Sequence, residues 1–370
     1  MIRVQYPSNS DLEKLKKKYL NLFDIKSLER RWRPVNKKYG IELKELLIGD
    51  FSYLVDIYYW YKSQQITGRQ KRIYESIFNY ESMQPDIARF FMDNKNGFSL
   101  STCHYCNMAY INTYSKSLTY VNQLDFINNA LEEEWRELFD YKKLSKEKLT
   151  EIFDNRPFDS LDDFNKKKFL CQGIETYKGF NLDAPSNHFD LDHLLPKSIC
   201  PIVGLSLFNF VPSCQVCNEK LKRAKELGDT KEEWLKISPT YQQSSFDNNV
   251  TIKLVPLEKC STFFELQRNN GNYRLEFETN QDKAYEKYIS ILHLKERYNY
   301  HKKLALHILD LKERYSPQKC KEISRLLSGQ ETTENKILYS ESQIKSDILQ
   351  EELSQDRCFA KLRRDMINKN

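Results

Sequence analysis

Two Cys-x-x-Cys pairs, Cys103 with Cys106 and Cys214 with Cys217, constrain this chain more than any other feature. Each pair can turn two thiolates toward one tetrahedral Zn²⁺ from a tight knuckle. Two pairs complete a four-sulfur set with no open position for water, so such an ion is structural. The 107 residues from Asn107 to Ser213 must then leave the ion and return to it. Zinc binding to small zinc peptides is worth on the order of 10 kcal/mol, which rivals the net stability of a whole domain. The competing readings are four core cysteines or a redox dithiol. A redox dithiol wants a strand-to-helix turn in a thioredoxin-like βαβ unit, and no such pattern is present.

The remaining cysteines (Cys171, Cys200, Cys260, Cys320 and Cys358) bring the total to nine. The opening residues, MIRVQYPSNS, lack the apolar stretch of a signal peptide. No apolar run of about 18 residues occurs, so no membrane span is expected. The default location is the cytoplasm, where a disulfide framework is not expected. The five scattered cysteines therefore read as reduced, small apolar residues. The net charge of +6 suits a polyanionic partner without proving one.

Along the chain, residues 1–97 read as a helical N-terminal region. Ser10-Asp11-Leu12-Glu13 has the pattern of a capping box, and Leu12, Leu15, Tyr19 and Leu22 follow at helical spacing. The aromatic run DIYYWYKS reads as core. Residues 98–225 hold the chemically suggestive side chains, interrupted by a charged helical insertion at about 115–185. In residues 226–327 the period changes. Val250, Ile252 and Leu254 alternate with polar residues. Phe264, Leu266, Asn270-Gly271, Tyr273, Leu275 and Phe277 then read as a hairpin with a tight turn. Helix resumes at 282, and residues 328–370 form a polar tail of weak helical character. The expected class is α+β, mostly helical.

The stretch FDLDHLLPKS, residues 189–198, sets Asp190 and Asp192 two apart, so on a strand they share one face. His193 follows, and Pro196 stiffens the exit. Downstream comes LFNFVPSCQVCNEKLK. Together these segments resemble the HNH endonuclease family, built on a ββα-metal finger. The matching residues are Asp192-His193, then Asn209, then Asn218 directly after Cys217. The family's last position is often histidine; an asparagine there is a common variant. The zinc-knuckle subclass carries two Cys-x-x-Cys pairs around the finger. The likeness covers about residues 98–225, with the two pairs further apart than in compact members.

This resemblance implies hydrolysis of phosphodiester bonds, preferentially in DNA. His193, with an unperturbed pKa near 6.5, would be the general base. Asp192 and Asn218 would hold Mg²⁺ or Mn²⁺ through oxygen, and Asn209 would brace the loop that orients the histidine. Cys103, Cys106, Cys214 and Cys217 would hold the structural zinc. Lys197, Lys220, Lys222 and Arg223 suit phosphate contacts, against the default of a solvated helix face. His188 and Asp190 either line the groove or are ordinary strand residues. His104, inside the first knuckle, is expected to meet solvent or phosphate.

The segment ILHLKERYNYHKKLALHIL, residues 291–309, is loosely similar to defence-associated HNH proteins that work beside an ATPase against phage. That likeness implies an ATPase partner. His301 and His307 are six apart, do not stack on one helical face and read as packing residues. Two other functions remain open. One is an HNH ribonuclease acting on tRNA or other RNA; the other is a zinc-stapled, non-catalytic nucleic-acid-binding or adaptor protein.

Overall fold

The structure is a computed structural model of the chain. It describes residues 2–8, 10–37, 39–98, 100–111, 113–115, 120, 122–139, 143–171, 173–174, 185–257, 272–314, 318–319, 322 and 357–369. The fold is α+β and mostly helical, with three two-stranded antiparallel ladders among the described residues. No described helix is long and apolar enough to cross a membrane. The chain divides into two compact units: Met1–Asn112 with Phe189–Asn370, and Thr113–His188.

The larger unit begins with six helices: α1 (Ser10–Leu20), α2 (Ile25–Asn36), α3 (Leu43–Ile48), α4 (Phe51–Ser63), α5 (Gly68–Ile77) and α6 (Tyr80–Met92). Their starts are written in the sequence. The Asp50 carboxylate accepts the Tyr53 N–H at 2.8 Å, and Thr67 and Gln70 close a reciprocal capping box. The aromatic run of α4 is core: Phe51, Leu54, Val55, Ile57, Tyr58 and Tyr61 are buried. Burying six such side chains stabilises by roughly 10 kcal/mol before entropy is counted. Apolar positions three and four apart put that stripe on one helical face.

Strand β3 (Asp190–His193) pairs antiparallel with β4 (Phe210–Ser213), and a π-helix, Val216–Lys222, follows β4. Further on, β5 (Thr251–Pro256) pairs with β6 (Tyr273–Glu278). The sequence pattern had paired Tyr273, Leu275 and Phe277 with Phe264 and Leu266 across Asn270-Gly271. Both segments alternate, and period alone does not choose a partner. Among the described residues, β6 pairs with β5, joining Ile252 to Phe277 and Leu254 to Leu275, a pairing the sequence pattern did not name. Residues 258–271, with that turn, lie outside the described residues. The polar tail ends in a helix, Ala360–Lys369, whose Ala360, Leu362 and Met366 are buried. Asp365 accepts the Ile252 N–H at 2.8 Å and pairs with Lys361 at 3.2 Å, so the tail closes on β5. Residues 323–356 lie outside the described residues.

The second unit has its own core, built from Phe126, Trp135, Phe139, Leu149, Phe158 and Phe164. Strands β1 (Thr113–Ser115) and β2 (Pro185–Asn187) pair antiparallel, so Thr113 and Asn187 are partners. The unit's two ends therefore leave from neighbouring backbone positions. Its helices, Gln123–Asn129, Glu132–Leu138, Lys146–Asp154 and Leu161–Lys166, lie within that closed loop of chain.

A unit with its own core and adjacent ends can be removed without opening its host. Replacing Thr113–His188 by a short Gly-Ser linker should leave a folded remainder that binds one Zn²⁺ per chain. Circular dichroism and metal analysis check this; loss of either the helical signal or the metal would show that the host needs the second unit.

Candidate functional site

The four knuckle cysteines meet. The sulfurs of Cys103, Cys106, Cys214 and Cys217 all lie within 4.8 Å of one another, with Cys106 and Cys214 at 4.0 Å. A tetrahedral zinc with bonds of about 2.3 Å needs sulfur–sulfur edges of about 3.8 Å, so the cluster could hold a metal such as zinc. The first knuckle is a tight reversal: Cys103 N–H donates to the Ala109 carbonyl and Asn107 N–H to the Cys103 carbonyl. Asn107 closes it with φ of 54°, a conformation asparagine tolerates better than most residues. The Met108 N–H points at the Cys106 sulfur at 3.4 Å. Every described cysteine is free of disulfide bonds.

The cluster also has a charge partner. Arg297 donates to the Cys217 sulfur at 3.4 Å. Burial works against its charge, but the sulfurs of Cys106 and Cys217 outweigh that and hold the guanidinium above its ordinary pKa. Burial pushes the Cys103 thiol up, whereas hydrogen bonds from neighbouring sulfurs, Cys103 first, hold Cys106 down. A bound dication would remove the remaining protons. Tyr298 and Tyr288 add outer bonds, donating to the Cys106 and Tyr105 carbonyls at 2.8 Å each.

Next to the cluster stands the β3–β4 hairpin. In its register His193 opposes Phe210 and Asp192 opposes Val211. Asn209, fully buried, uses its whole amide on the loop that follows His193. It accepts the Leu195 N–H at 2.7 Å and donates to the carbonyls of Leu195 at 3.1 Å and Val203 at 3.0 Å. His193 is buried, with the Tyr80 ring edge-on at 4.5 Å. Its Nε2 lies 2.9 Å from the Gly204 carbonyl. A carbonyl only accepts, so Nε2 carries the proton and Nδ1 keeps a lone pair in the neutral ring. Burial drives the His193 pKa down to about 3, with the Lys197 and Lys222 charges acting in the same direction. Glycine is needed at 204: a Cβ there would stand 2.9 Å from the Pro201 carbonyl oxygen in the turn that presents this acceptor.

Asp192 is equally enclosed. Its Oδ2 accepts the Tyr105 hydroxyl at 2.5 Å and the Lys222 ammonium at 2.8 Å. Burial raises the carboxyl pKa, and Lys222 opposes that rise. Tyr105 lies between the two cysteines of the first knuckle, so cluster and carboxylate share one support. Asn218 does something the motif did not specify: its side-chain N–H donates to Asp190 Oδ2 at 3.2 Å. Asp190 is half-buried, and burial raises its carboxyl pKa.

The basic candidates divide. Lys222 is fully buried. Lys197 is partly exposed, with its ammonium 4.7 Å from the Tyr80 ring centroid. Lys220 and Arg223 are exposed. His188 is exposed and belongs to the second unit. His104 is buried rather than solvent-facing, with Nδ1 3.0 Å from the Ile2 carbonyl. His301 is exposed and rests against Phe359. Sequence reasoning missed Tyr105, Gly204 and Arg297. No family model matches the chain, and neither the curated proteins nor the solved structures contain a match to it.

One Zn²⁺ per chain is expected in the purified protein, and Cys214→Ser should abolish it. Arg297→Leu should weaken zinc binding by roughly 10- to 100-fold, the usual scale for an outer partner of a metal site. Competition against a chromogenic chelator measures this, and an unchanged affinity would remove Arg297 from the site.

Proposed function

We propose that this protein is a metal-dependent endonuclease of the HNH type that hydrolyses phosphodiester bonds in DNA. The observation that carries this reading is the His193 Nε2–H bond to Gly204, which holds the ring in place and leaves the Nδ1 lone pair free to accept a proton. Hydrolysis needs a water deprotonated and aimed at phosphorus. Nδ1 of His193 takes that proton as the water oxygen bonds to phosphorus and the phosphorus–oxygen bond to the leaving sugar breaks. Asn209 keeps the ring aimed by tying down the loop behind it. Exposed Lys220 and Arg223, with Lys197, supply cations for the phosphate backbone.

The donor set suits a hard divalent ion. Asp190 and Asp192 project from one strand face and Asn218 from the following π-helix, all oxygen donors of the sort that Mg²⁺ and Mn²⁺ prefer. A divalent ion held there would offset the negative charge developing at phosphorus and on the leaving oxygen. A role in anti-phage defence beside an ATPase rests on the likeness of residues 291–309 alone.

The purified protein should cut plasmid DNA in the presence of Mg²⁺ or Mn²⁺. His193→Ala should lower the rate by about 10²–10⁴-fold while zinc content and circular dichroism stay unchanged. Parallel assays on single-stranded DNA and total tRNA decide the polymer, and cleavage of tRNA alone would move the reading to a ribonuclease. The pH dependence has a defined sign. Because burial lowers the His193 pKa to about 3, Nδ1 stays unprotonated as pH falls through the ordinary histidine range. An acid limb of the pH–rate profile centred near 6.5, the unperturbed value, would overturn either the lowered pKa of His193 or its role as the base.

A further inference from the structure

The Lys222 ammonium lies deeper than any phosphate contact requires. Its side chain is fully buried, and its three donors are all spent: on Asp192 Oδ2 at 2.8 Å, on the His193 carbonyl at 2.8 Å and on the Arg223 carbonyl at 3.4 Å. Tyr105 donates to the same Asp192 oxygen at 2.5 Å. That oxygen thus already faces a hydroxyl hydrogen and a full positive charge. Oδ2 has two lone pairs and these two donors take both, so an ion can use this oxygen only by displacing one of them. A divalent ion and the Lys222 ammonium cannot both sit on Asp192 Oδ2.

The element that carries Lys222 is suited to letting it go. Asn218 and Lys222 lie on the π-helix Val216–Lys222, closed by an Arg223 N–H bond to the Asn218 carbonyl five residues back. Arg223 then takes φ of 50° and ψ of −126°, outside the regions ordinary residues favour. A π-turn holds one residue more per turn than an α-turn would, and π-bulges recur at functional sites. Tightening this turn to α geometry would rotate Lys222 away from Asp192 and relieve Arg223. Asn218, nearer the start of the helix, would keep its place beside β3.

We propose that Lys222 is a tethered resident cation that competes with the divalent ion for Asp192, so that metal binding ejects the lysine from the site. This rests on the nuclease reading for its metal, and it goes further by making Lys222 a positioning residue that sets metal affinity. In the lysine-bound arrangement the ammonium supplies the positive charge that a buried carboxylate requires. In the metal-bound arrangement the ion supplies it, and the freed lysine lies next to the exposed Lys220 and Arg223.

The test uses the full chain carrying His193→Ala, which removes turnover and leaves Asp192 in place. Mn²⁺ binding is measured by electron paramagnetic resonance or calorimetry with and without Lys222→Met. Competition predicts that Lys222→Met binds Mn²⁺ about tenfold tighter or more, on the scale of outer-partner effects at metal sites. Equal or weaker binding, or no Mn²⁺ bound by either protein, overturns it. Should Lys222→Met fail to fold, acylation of Lys222 by an amine reagent is followed by mass spectrometry in the unaltered chain. Labelling that rises several-fold with Mn²⁺, and does not rise in Asp192→Asn, supports ejection. Labelling that Mn²⁺ leaves unchanged refutes it. The two readings fail separately. Tighter Mn²⁺ binding without any strand cleavage by the His193-bearing chain would end the nuclease reading alone. Cleavage together with an unchanged Mn²⁺ affinity in Lys222→Met would end the competition alone.

Discussion

Four sulfurs bring together two chain segments that are 108 residues apart at Cys106 and Cys214, and a metal such as zinc could join them. Most of the site depends on that junction. The first knuckle alone is a short reversal, and the second is the entry to a π-helix. Both are seated in the core of the larger unit, where Cys103, Tyr105, Cys106 and Cys217 are buried. Joined, they carry Tyr105 on one side and Asn218 with Lys222 on the other, all aimed at β3. The junction also explains how a whole unit with its own core can be inserted between the two knuckles. Closing a long loop costs only slightly more entropy than closing a short one, while the strength of a four-thiolate site does not depend on loop length.

Around Asp192 the interactions are of a costlier kind. A carboxylate and an ammonium are both removed from water there, and burying such a pair often gains little net stability over an apolar replacement. Losing one member is severe, because the other charge is left without a partner. Tyr105 limits this cost by donating to the same oxygen, and the His193 and Arg223 carbonyls absorb the other two lysine protons. Asn209 differs. It is neutral, fully paired and buried, and its three bonds turn a flexible loop into a fixed mount for His193.

How much of this was legible depended on range. The cysteine spacing named the four sulfurs, because knuckle geometry is local and repeats. The alternation of Asp190 and Asp192 named a strand face for the same reason. The start of α4 was readable from Asp50 and its apolar stripe. What the sequence could not display was which side chains fill the second layer. Tyr105 is one aromatic among many, and only the fold turns it toward Asp192. Arg297 is far along the chain in a charged helical run with nothing local to distinguish it. Lys222 was read as a phosphate contact because a lysine near the end of a helix is normally solvated. It is buried at the end of a π-helix, and no spacing rule foretells one. The β5–β6 pairing went unread because alternation shows that a strand has two faces, not which strand lies beside it.

The two aspartates show why the motif residues do not act as interchangeable ligands. Asp190 and Asp192 share a strand face, yet their partners differ in kind: a neutral amide for the half-buried one, a full charge for the buried one. The order follows solvation. Near the surface, water screens a carboxylate and an amide bond suffices. At depth, desolvation raises the carboxyl pKa until a cation opposes it. The half-buried Asp190 with the Asn218 amide is thus the more open end of this strand face, and Asp192 with Lys222 the closed end.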